Sequence, residues 1–192
     1  MAIYRLLRNS PLGPEEISRV TAAHEQALRA LDLKDRNDPI TQLVAKKIIE
    51  VHQTGVRDPT EISKIAVEQL LANYRVLVIE DEYFLAQDLE AALKSFGMET
   101  VACIGDLNAA LDQLAKGGFD VAVLDINLHG REAFSVADEL KRKWIPFVFA
   151  TGYGAEMIPD RFADVIRWEK PFDALNVARD VARLCHRAVE WG

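Results

Sequence analysis

The stretch that decides the fold is Val76-Leu77-Val78-Ile79-Glu80-Asp81-Glu82, an apolar run that ends in three consecutive acids. A second run, Val121-Ala122-Val123-Leu124, leads to a single aspartate, Asp125. Continuous apolar runs of this kind are typical of parallel strands that are covered on both faces. If the two strands are parallel neighbours, their carboxyl ends open on one edge of the sheet, where α/β folds bind ligands. The sequence therefore predicts converging carboxylates, which are ligands for a hard cation.

Two later runs also end in polar residues. Val148-Phe149-Ala150 leads to Thr151, and Trp168-Glu169 leads to Lys170-Pro171. A carboxylate reacts poorly with an anionic phosphoryl donor, so a site that transfers phosphoryl groups must first neutralise charge. A cation held by the acids, an ammonium and a hydroxyl would together provide such an environment.

The ordered set of acids, aspartate, threonine and lysine resembles the response-regulator receiver domain, over residues 74–188. The resemblance implies that Asp125 is the phospho-acceptor. It also implies a Mg²⁺ site whose oxygen donors are Glu80, Asp81, Asp125 and the backbone carbonyl of Asn127. Thr151 and Lys170 would sense the phosphoryl group, and the Lys170–Pro171 peptide would be cis.

The segment Pro146-Phe147-Val148-Phe149-Ala150-Thr151-Gly152-Tyr153-Gly154 is similar to the FAT GUY subfamily of receivers. Two positions depart from the common receiver pattern. Arg167 stands where receivers often carry a Tyr or Phe that turns inward on phosphorylation, and His129 stands where proline is common. The effect of Arg167 on the switch stays open, and we interpret His129 as a solvated loop residue.

The chain after Tyr74 alternates between strand and helix patterns, which predicts a doubly wound α/β domain. We expect a five-stranded parallel sheet of the flavodoxin or CheY type, with strand order 2-1-3-4-5. Beyond the first strand, further strands are predicted near residues 100–104, 121–124, 147–150 and 165–168. Helices are predicted near residues 83–96, 108–116, 133–142 and 155–162, and from residue 173 onward.

Residues 1–73 carry helical signals only, and we predict a small three-helix domain that precedes a receiver domain of residues 74–192. Pro14 is a good first residue for a helix. Asp58-Pro59 supplies an N-cap carboxylate followed by proline, and Gly55 would end the helix before it. His24 and His52 have no companion residues of a phosphotransfer site, so we interpret both as structural.

The charge distribution disfavours nucleic acid as a partner. The first 73 residues carry equal numbers of basic and acidic side chains, so the formal charge of −7 lies on the remainder of the chain. DNA-binding domains need a basic surface. The sequence has no apolar run of membrane-spanning length and no signal-peptide core at its start, so we expect a cytoplasmic protein that binds no membrane.

These features predict a two-component response regulator that is not an enzyme, apart from taking part in its own phosphorylation and dephosphorylation. Its partners would be a sensor histidine kinase or histidine phosphotransferase and an unknown output protein, and a homodimer is left open. The alternatives are a phosphoryl shuttle or sink and an anti-anti-sigma-type stress regulator. A phosphatase of the haloacid-dehalogenase type needs a second aspartate where Asn127 stands.

Overall fold

The computed structural model describes residues 2–7, 12–33 and 39–188 of the chain. The chain divides into two compact units, Met1–Asn73 and Tyr74–Gly192. None of the described helices is long and apolar enough to cross a membrane.

The described residues of the first unit form four helices: α1 (Ala2–Leu7), α2 (Pro14–Ala30), α3 (Pro39–Gln53) and α4 (Pro59–Leu71). The prediction of three helices is wrong in number because α1 was not anticipated. A helix of six residues is too short to show a periodic apolar pattern, and few such helices are stable alone. Here Ile3 and Leu7, one turn apart, are both buried, so packing stabilises α1.

Capping groups define two helix starts in this unit. The Asp58 carboxylate accepts a hydrogen bond from the Glu61 backbone N–H at 2.9 Å, which confirms the predicted N-cap of α4. At α2, the Gly13 N–H donates to the Glu16 carboxylate at 3.0 Å. Gly55 follows α3 with φ +102°, a conformation that glycine adopts without strain.

The second unit contains a sheet of five parallel strands in the order β2-β1-β3-β6-β7. The strands of this sheet are β1 (Arg75–Ile79), β2 (Glu99–Ile104), β3 (Val121–Leu124), β6 (Phe147–Thr151) and β7 (Arg167–Glu169). Between β3 and β6 the chain forms a short antiparallel pair, β4 (Asn127–Leu128) and β5 (Arg131–Glu132). The helices are α5 (Tyr83–Ser95), α6 (Leu107–Lys116), α7 (Phe134–Arg142) and α8 (Ala174–Ala188). The predicted fold class and strand order are confirmed.

Two local predictions in this unit are corrected by the structure. The helix predicted at 155–162 is two short 3₁₀ turns, Ala155–Met157 and Asp160–Phe162. Pro159 separates them, because proline has no N–H to donate to a continuous helix. The strand predicted at 165–168 is instead Arg167–Glu169.

The predicted loop after Asp125 is the β4–β5 hairpin. Its two-residue turn, His129 and Gly130, has φ values of +52° and +80°. Positive φ at both turn residues is typical of the tight hairpin turns that match strand twist. These few residues carry no alternating apolar pattern from which the hairpin could be predicted.

Candidate functional site

The sheet register places the acids of two strands side by side. β1 and β3 are parallel neighbours in which Ile79 pairs with Leu124. Glu80 and Asp125 therefore follow matched positions, and the Asp125 N–H donates to the Ile79 carbonyl at 2.8 Å. Because the strands are parallel, both acids leave the sheet at the same edge.

Three carboxylates meet at this edge, as the sequence predicts. Oxygen atoms of Glu80, Asp81 and Asp125 all lie within 4.8 Å of one another. Glu80 and Asp125 are buried and Asp81 is partly exposed. Like charges this close repel each other unless a cation lies among them.

Glu80 is the most constrained of the three acids. It is 4 % exposed, and its Oε1 accepts hydrogen bonds from Lys170 Nζ at 2.9 Å and from the Glu82 N–H at 3.1 Å. Its Oε2 is buried and has no hydrogen-bond partner among the described residues. Burial raises the pKa of Glu80 to about 7, against the hydrogen bonds from Lys170 and Glu82, which lower it.

Lys170 supplies the positive charge of the cluster. Its Nζ lies 2.7 Å from Asp125 Oδ2 and 2.9 Å from both Glu80 Oε1 and Glu82 Oε1. Burial alone would lower the pKa of Lys170, but hydrogen bonds to Asp125, Glu80 and Glu82 outweigh it and raise the pKa above the ordinary lysine value. The Lys170–Pro171 peptide is cis, as expected.

Asp81 is held by the hairpin turn. Its Oδ2 accepts a hydrogen bond from the His129 N–H at 2.9 Å and lies 3.1 Å from Nδ1 of the His129 ring. The His129 side chain is 69 % exposed, in agreement with the predicted solvated loop residue. Its contact with Asp81 was not predicted from the sequence. A contact between residues 48 positions apart leaves no local pattern to detect.

Asn127 orders the start of the same hairpin. Its N–H donates to Asp125 Oδ1 at 3.0 Å, and its side-chain Oδ1 accepts from the Gly130 N–H at 2.9 Å. Asn127 therefore lies beside the carboxylates, and its backbone N–H contacts the candidate acceptor directly. The role predicted for its carbonyl oxygen stays a prediction.

Thr151 ends β6, next to β3 on one side and β7 on the other. The residue is fully buried. Its Oγ1 accepts a hydrogen bond from the Tyr153 N–H at 3.3 Å, and its carbonyl accepts from the Lys170 N–H at 2.9 Å. The structure thus brings the threonine and the lysine to the sheet edge that carries the acids.

A comparison with known proteins identifies the second unit. The family model of the response regulator receiver domain matches residues 76–166. The solution structure of SdrG from Sphingomonas melonis Fr1 is 33% identical, with a TM-score of 0.51, over 62% of this chain and 98% of SdrG. The chain belongs to the response-regulator receiver family. A CheY-like receiver from Methanospirillum hungatei JF-1 shares the receiver fold at 17% identity and a TM-score of 0.56, over 62% of this chain and 98% of that one.

A curated relative is longer than the region that it shares with this chain. The transcriptional regulatory protein TcrA from Mycobacterium tuberculosis is 35% identical over 95 residues, which cover 48% of this chain. The same match covers 36% of TcrA, so the aligned part spans about a third of that relative.

Gly105 is a further residue of the receiver site, and no sequence motif marks it. It follows β2, and a Cβ atom at this position would lie 2.9 Å from the Asp81 Cα and 3.3 Å from the Glu80 carbonyl oxygen. The absence of a side chain therefore lets the Glu80–Asp81 turn lie against the end of β2. In the sequence, Gly105-Asp106 resembles an ordinary strand-to-helix turn, which is why no role was assigned to it.

Proposed function

We propose that residues 74–192 form a phospho-acceptor domain of the FAT GUY type, in which Asp125 accepts a phosphoryl group from a histidine kinase or a histidine phosphotransferase. The observation that carries the proposal is the cluster of Glu80, Asp81 and Asp125 within 4.8 Å, with the Lys170 ammonium 2.7 Å from Asp125. The whole chain would be a cytoplasmic two-component response regulator, and residues 1–73 its small helical domain.

The donor set fits Mg²⁺. Mg²⁺ prefers oxygen ligands and is usually held by one or two carboxylates together with water and phosphoryl oxygens. Glu80, Asp81 and Asp125 offer carboxylate oxygens, and the buried Glu80 Oε2 has no partner among the described residues. Asn127 would add its carbonyl oxygen. When bound, Mg²⁺ would neutralise the acids and the incoming phosphoryl group.

The residues of this chain account for the remaining requirements of the transfer. A carboxylate oxygen of Asp125 would form the new O–P bond as the N–P bond to the donor histidine breaks, and the imidazole would leave with the electron pair. The Asn127 N–H holds the other Asp125 oxygen at 3.0 Å, so the carboxylate is oriented before attack. Lys170 would pair with the phosphoryl oxygens, and the Thr151 hydroxyl would donate to them.

The output would be a change in protein–protein interactions rather than a chemical product, so we propose no enzymatic turnover of a separate substrate. A segment that contacts the phosphoryl group in one state and not in the other can shift the binding of a partner. No contact among the described residues favours the shuttle or the anti-anti-sigma alternative over this function.

The decisive test is the substitution Asp125→Asn, with the exposed Asp112→Asn on α6 as the matched control. We expect the control to take up phosphate from acetyl phosphate in a Mg²⁺-dependent manner, and Asp125→Asn to take up none. The measurement is phosphate bound to the full chain, with the alkali lability and acid stability of an acyl phosphate. The same labile phosphate on Asp125→Asn would refute the assignment.

A further inference from the structure

Tyr153, the second residue after Thr151, is held from two sides. Its N–H donates to Thr151 Oγ1 at 3.3 Å, and its carbonyl oxygen accepts a hydrogen bond from Arg167 Nη1 at 3.1 Å. Thr151 and Arg167 lie on the neighbouring strands β6 and β7. Tyr153 therefore connects the buried hydroxyl of the site to an arginine on the edge strand.

The arginine is itself oriented by a carboxylate. Arg167 Nη1 also donates to Glu169 Oε2 at 2.8 Å, two residues later on β7. An exposed ion pair of this kind contributes little stability. It does fix the direction of the planar guanidinium, whose donors have a rigid geometry that a lysine ammonium lacks.

The hydrogen bond from Tyr153 determines what the Thr151 hydroxyl can do. A threonine hydroxyl has a single proton to donate and can also accept. Because Oγ1 accepts from the Tyr153 N–H, the geometry leaves its proton for an acceptor other than Tyr153. We propose that Arg167 is a positioning residue, which keeps Tyr153 in place and thereby keeps the Thr151 hydroxyl directed as a donor to the phosphoryl group on Asp125. This inference rests on the function proposed above.

The contacts of Tyr153 also indicate which residues a movement of Thr151 would displace. The segment after Tyr153 is anchored at its far end, where Phe162 is buried and Arg161 donates to the Asp138 carboxylate of α7 at 2.7 and 3.0 Å. The part in between, residues 154–159, exposes the Met157 side chain. A displacement of Tyr153 would therefore act first on residues 154–159, which lie between Tyr153 and the anchored end.

The first test measures hydrogen exchange of the Tyr153 amide in the full chain without added metal. Arg167→Leu should raise the exchange rate of this amide at least about fivefold, because its backbone loses one of two restraints. Arg161→Leu is the matched control: it removes an arginine bound to α7 at the other end of the segment and should leave the Tyr153 amide unchanged. Unchanged exchange of Tyr153 in Arg167→Leu would overturn the proposal.

A double variant tests whether Arg167 acts through Thr151. Thr151→Val removes the acceptor of the Tyr153 N–H, so Arg167→Leu added to it should have little further effect on that amide. If the increase in the exchange rate of the Tyr153 amide in the double variant equals the product of the two single increases, the two residues act independently. That result would also overturn the proposal. This test involves no phosphorylation.

The second test adds Mg²⁺ and beryllofluoride, an acyl-phosphate mimic, to the full chain and follows backbone amide signals. In the unsubstituted chain, signals near Asp125 and in residues 154–159 should both shift. In Arg167→Leu, the shifts near Asp125 should persist and those in residues 154–159 should fall severalfold. If the shifts near Asp125 and those in residues 154–159 both persist in Arg167→Leu, the positioning role of Arg167 is refuted. If the signals near Asp125 do not respond in the unsubstituted chain, the proposed function is refuted instead.

Discussion

The helical unit and the receiver unit both bury polar side chains, but they distribute them differently. In the described part of the helical unit, the buried polar residues lie on three helices: His24 on α2, Thr41 and His52 on α3, and Ser63 on α4. Among the described residues of the receiver unit, the buried polar residues are Glu80, Asp125 and Thr151, all at the carboxyl edge of one sheet. Buried polar groups are thus dispersed in one unit and concentrated in the other.

The buried polar residues of the two units also differ in the charged groups that surround them. His52 in the helical unit lies between Glu16, 3.5 Å from its Nε2, and Arg57, 3.4 Å from its Nδ1. The receiver instead buries two carboxylates together and compensates them with the Lys170 ammonium. Burying charge costs free energy even when the charge is paired. The comparison indicates that, among the described residues, the receiver bears a free-energy cost at this edge, where the carboxylates of the proposed cation site lie together.

The largest effect on stability is expected from Glu80→Gln, which removes one of the two buried carboxylates. The pKa of Glu80 in the folded chain, about 7, lies above the ordinary value of 4.5. Between these two pH values the folded chain binds a proton that the unfolded chain releases, so stability falls as the pH rises through this window. Glu80→Gln should therefore raise the free energy of unfolding by about 2 kcal/mol at pH 8, and by less than about 1 kcal/mol at pH 5.

Urea unfolding without divalent ions, followed by tryptophan fluorescence, measures this effect. All three tryptophans lie after Tyr74, so the signal reports the receiver unit. Glu82→Gln is the matched control, since Glu82 contacts the same ammonium with a side chain that is 64% exposed, and its effect should be small. Equal stability of Glu80→Gln and the unsubstituted chain at pH 8 would contradict the cost inferred for the receiver.

A smaller effect is expected from Gly105→Ala, which tests whether the cluster depends on backbone position. The added methyl group would lie 2.9 Å from the Asp81 Cα, so the Glu80–Asp81 turn must shift. We expect Mg²⁺ affinity, measured by calorimetry, to fall about tenfold, which corresponds to about 1.4 kcal/mol. Gly152→Ala, whose methyl group would meet nothing within 4 Å, should leave the affinity unchanged. Equal affinities in the two variants would show that Gly105 does not position Asp81.

The smallest effect is expected in the helical unit, where buried histidines are interpreted as structural. His24→Asn and His52→Asn should leave the amount of phosphate taken up from acetyl phosphate, and its alkali lability, unchanged. Both variants should lower the stability of the helices, which circular dichroism during heating would detect. A loss of acid-labile phosphate in either variant would reveal a phosphohistidine and would remove the contrast between the two units.

The receiver fold and the main polar residues of its site could be predicted from local sequence patterns. Continuous apolar runs such as Val76–Ile79 are typical of strands buried on both faces, and a polar residue directly after such a strand lies at the edge of the sheet. For that reason Glu80, Asp125 and Thr151 could be predicted without coordinates, and Lys170 followed from the resemblance of the ordered set to a receiver domain. The N-cap at Asp58 was also predictable, because a cap depends on residues three positions apart.

The contacts between residues that are distant in the sequence could not be predicted in this way and are known from the folded chain. The hydrogen bond from His129 to Asp81, the approach of Gly105 to the Asp81 backbone and the connection of Arg167 to Thr151 through Tyr153 depend on how loops from different strands meet. Local sequence patterns indicate where a residue lies in a strand or helix. The packing of the elements determines which residues are in contact.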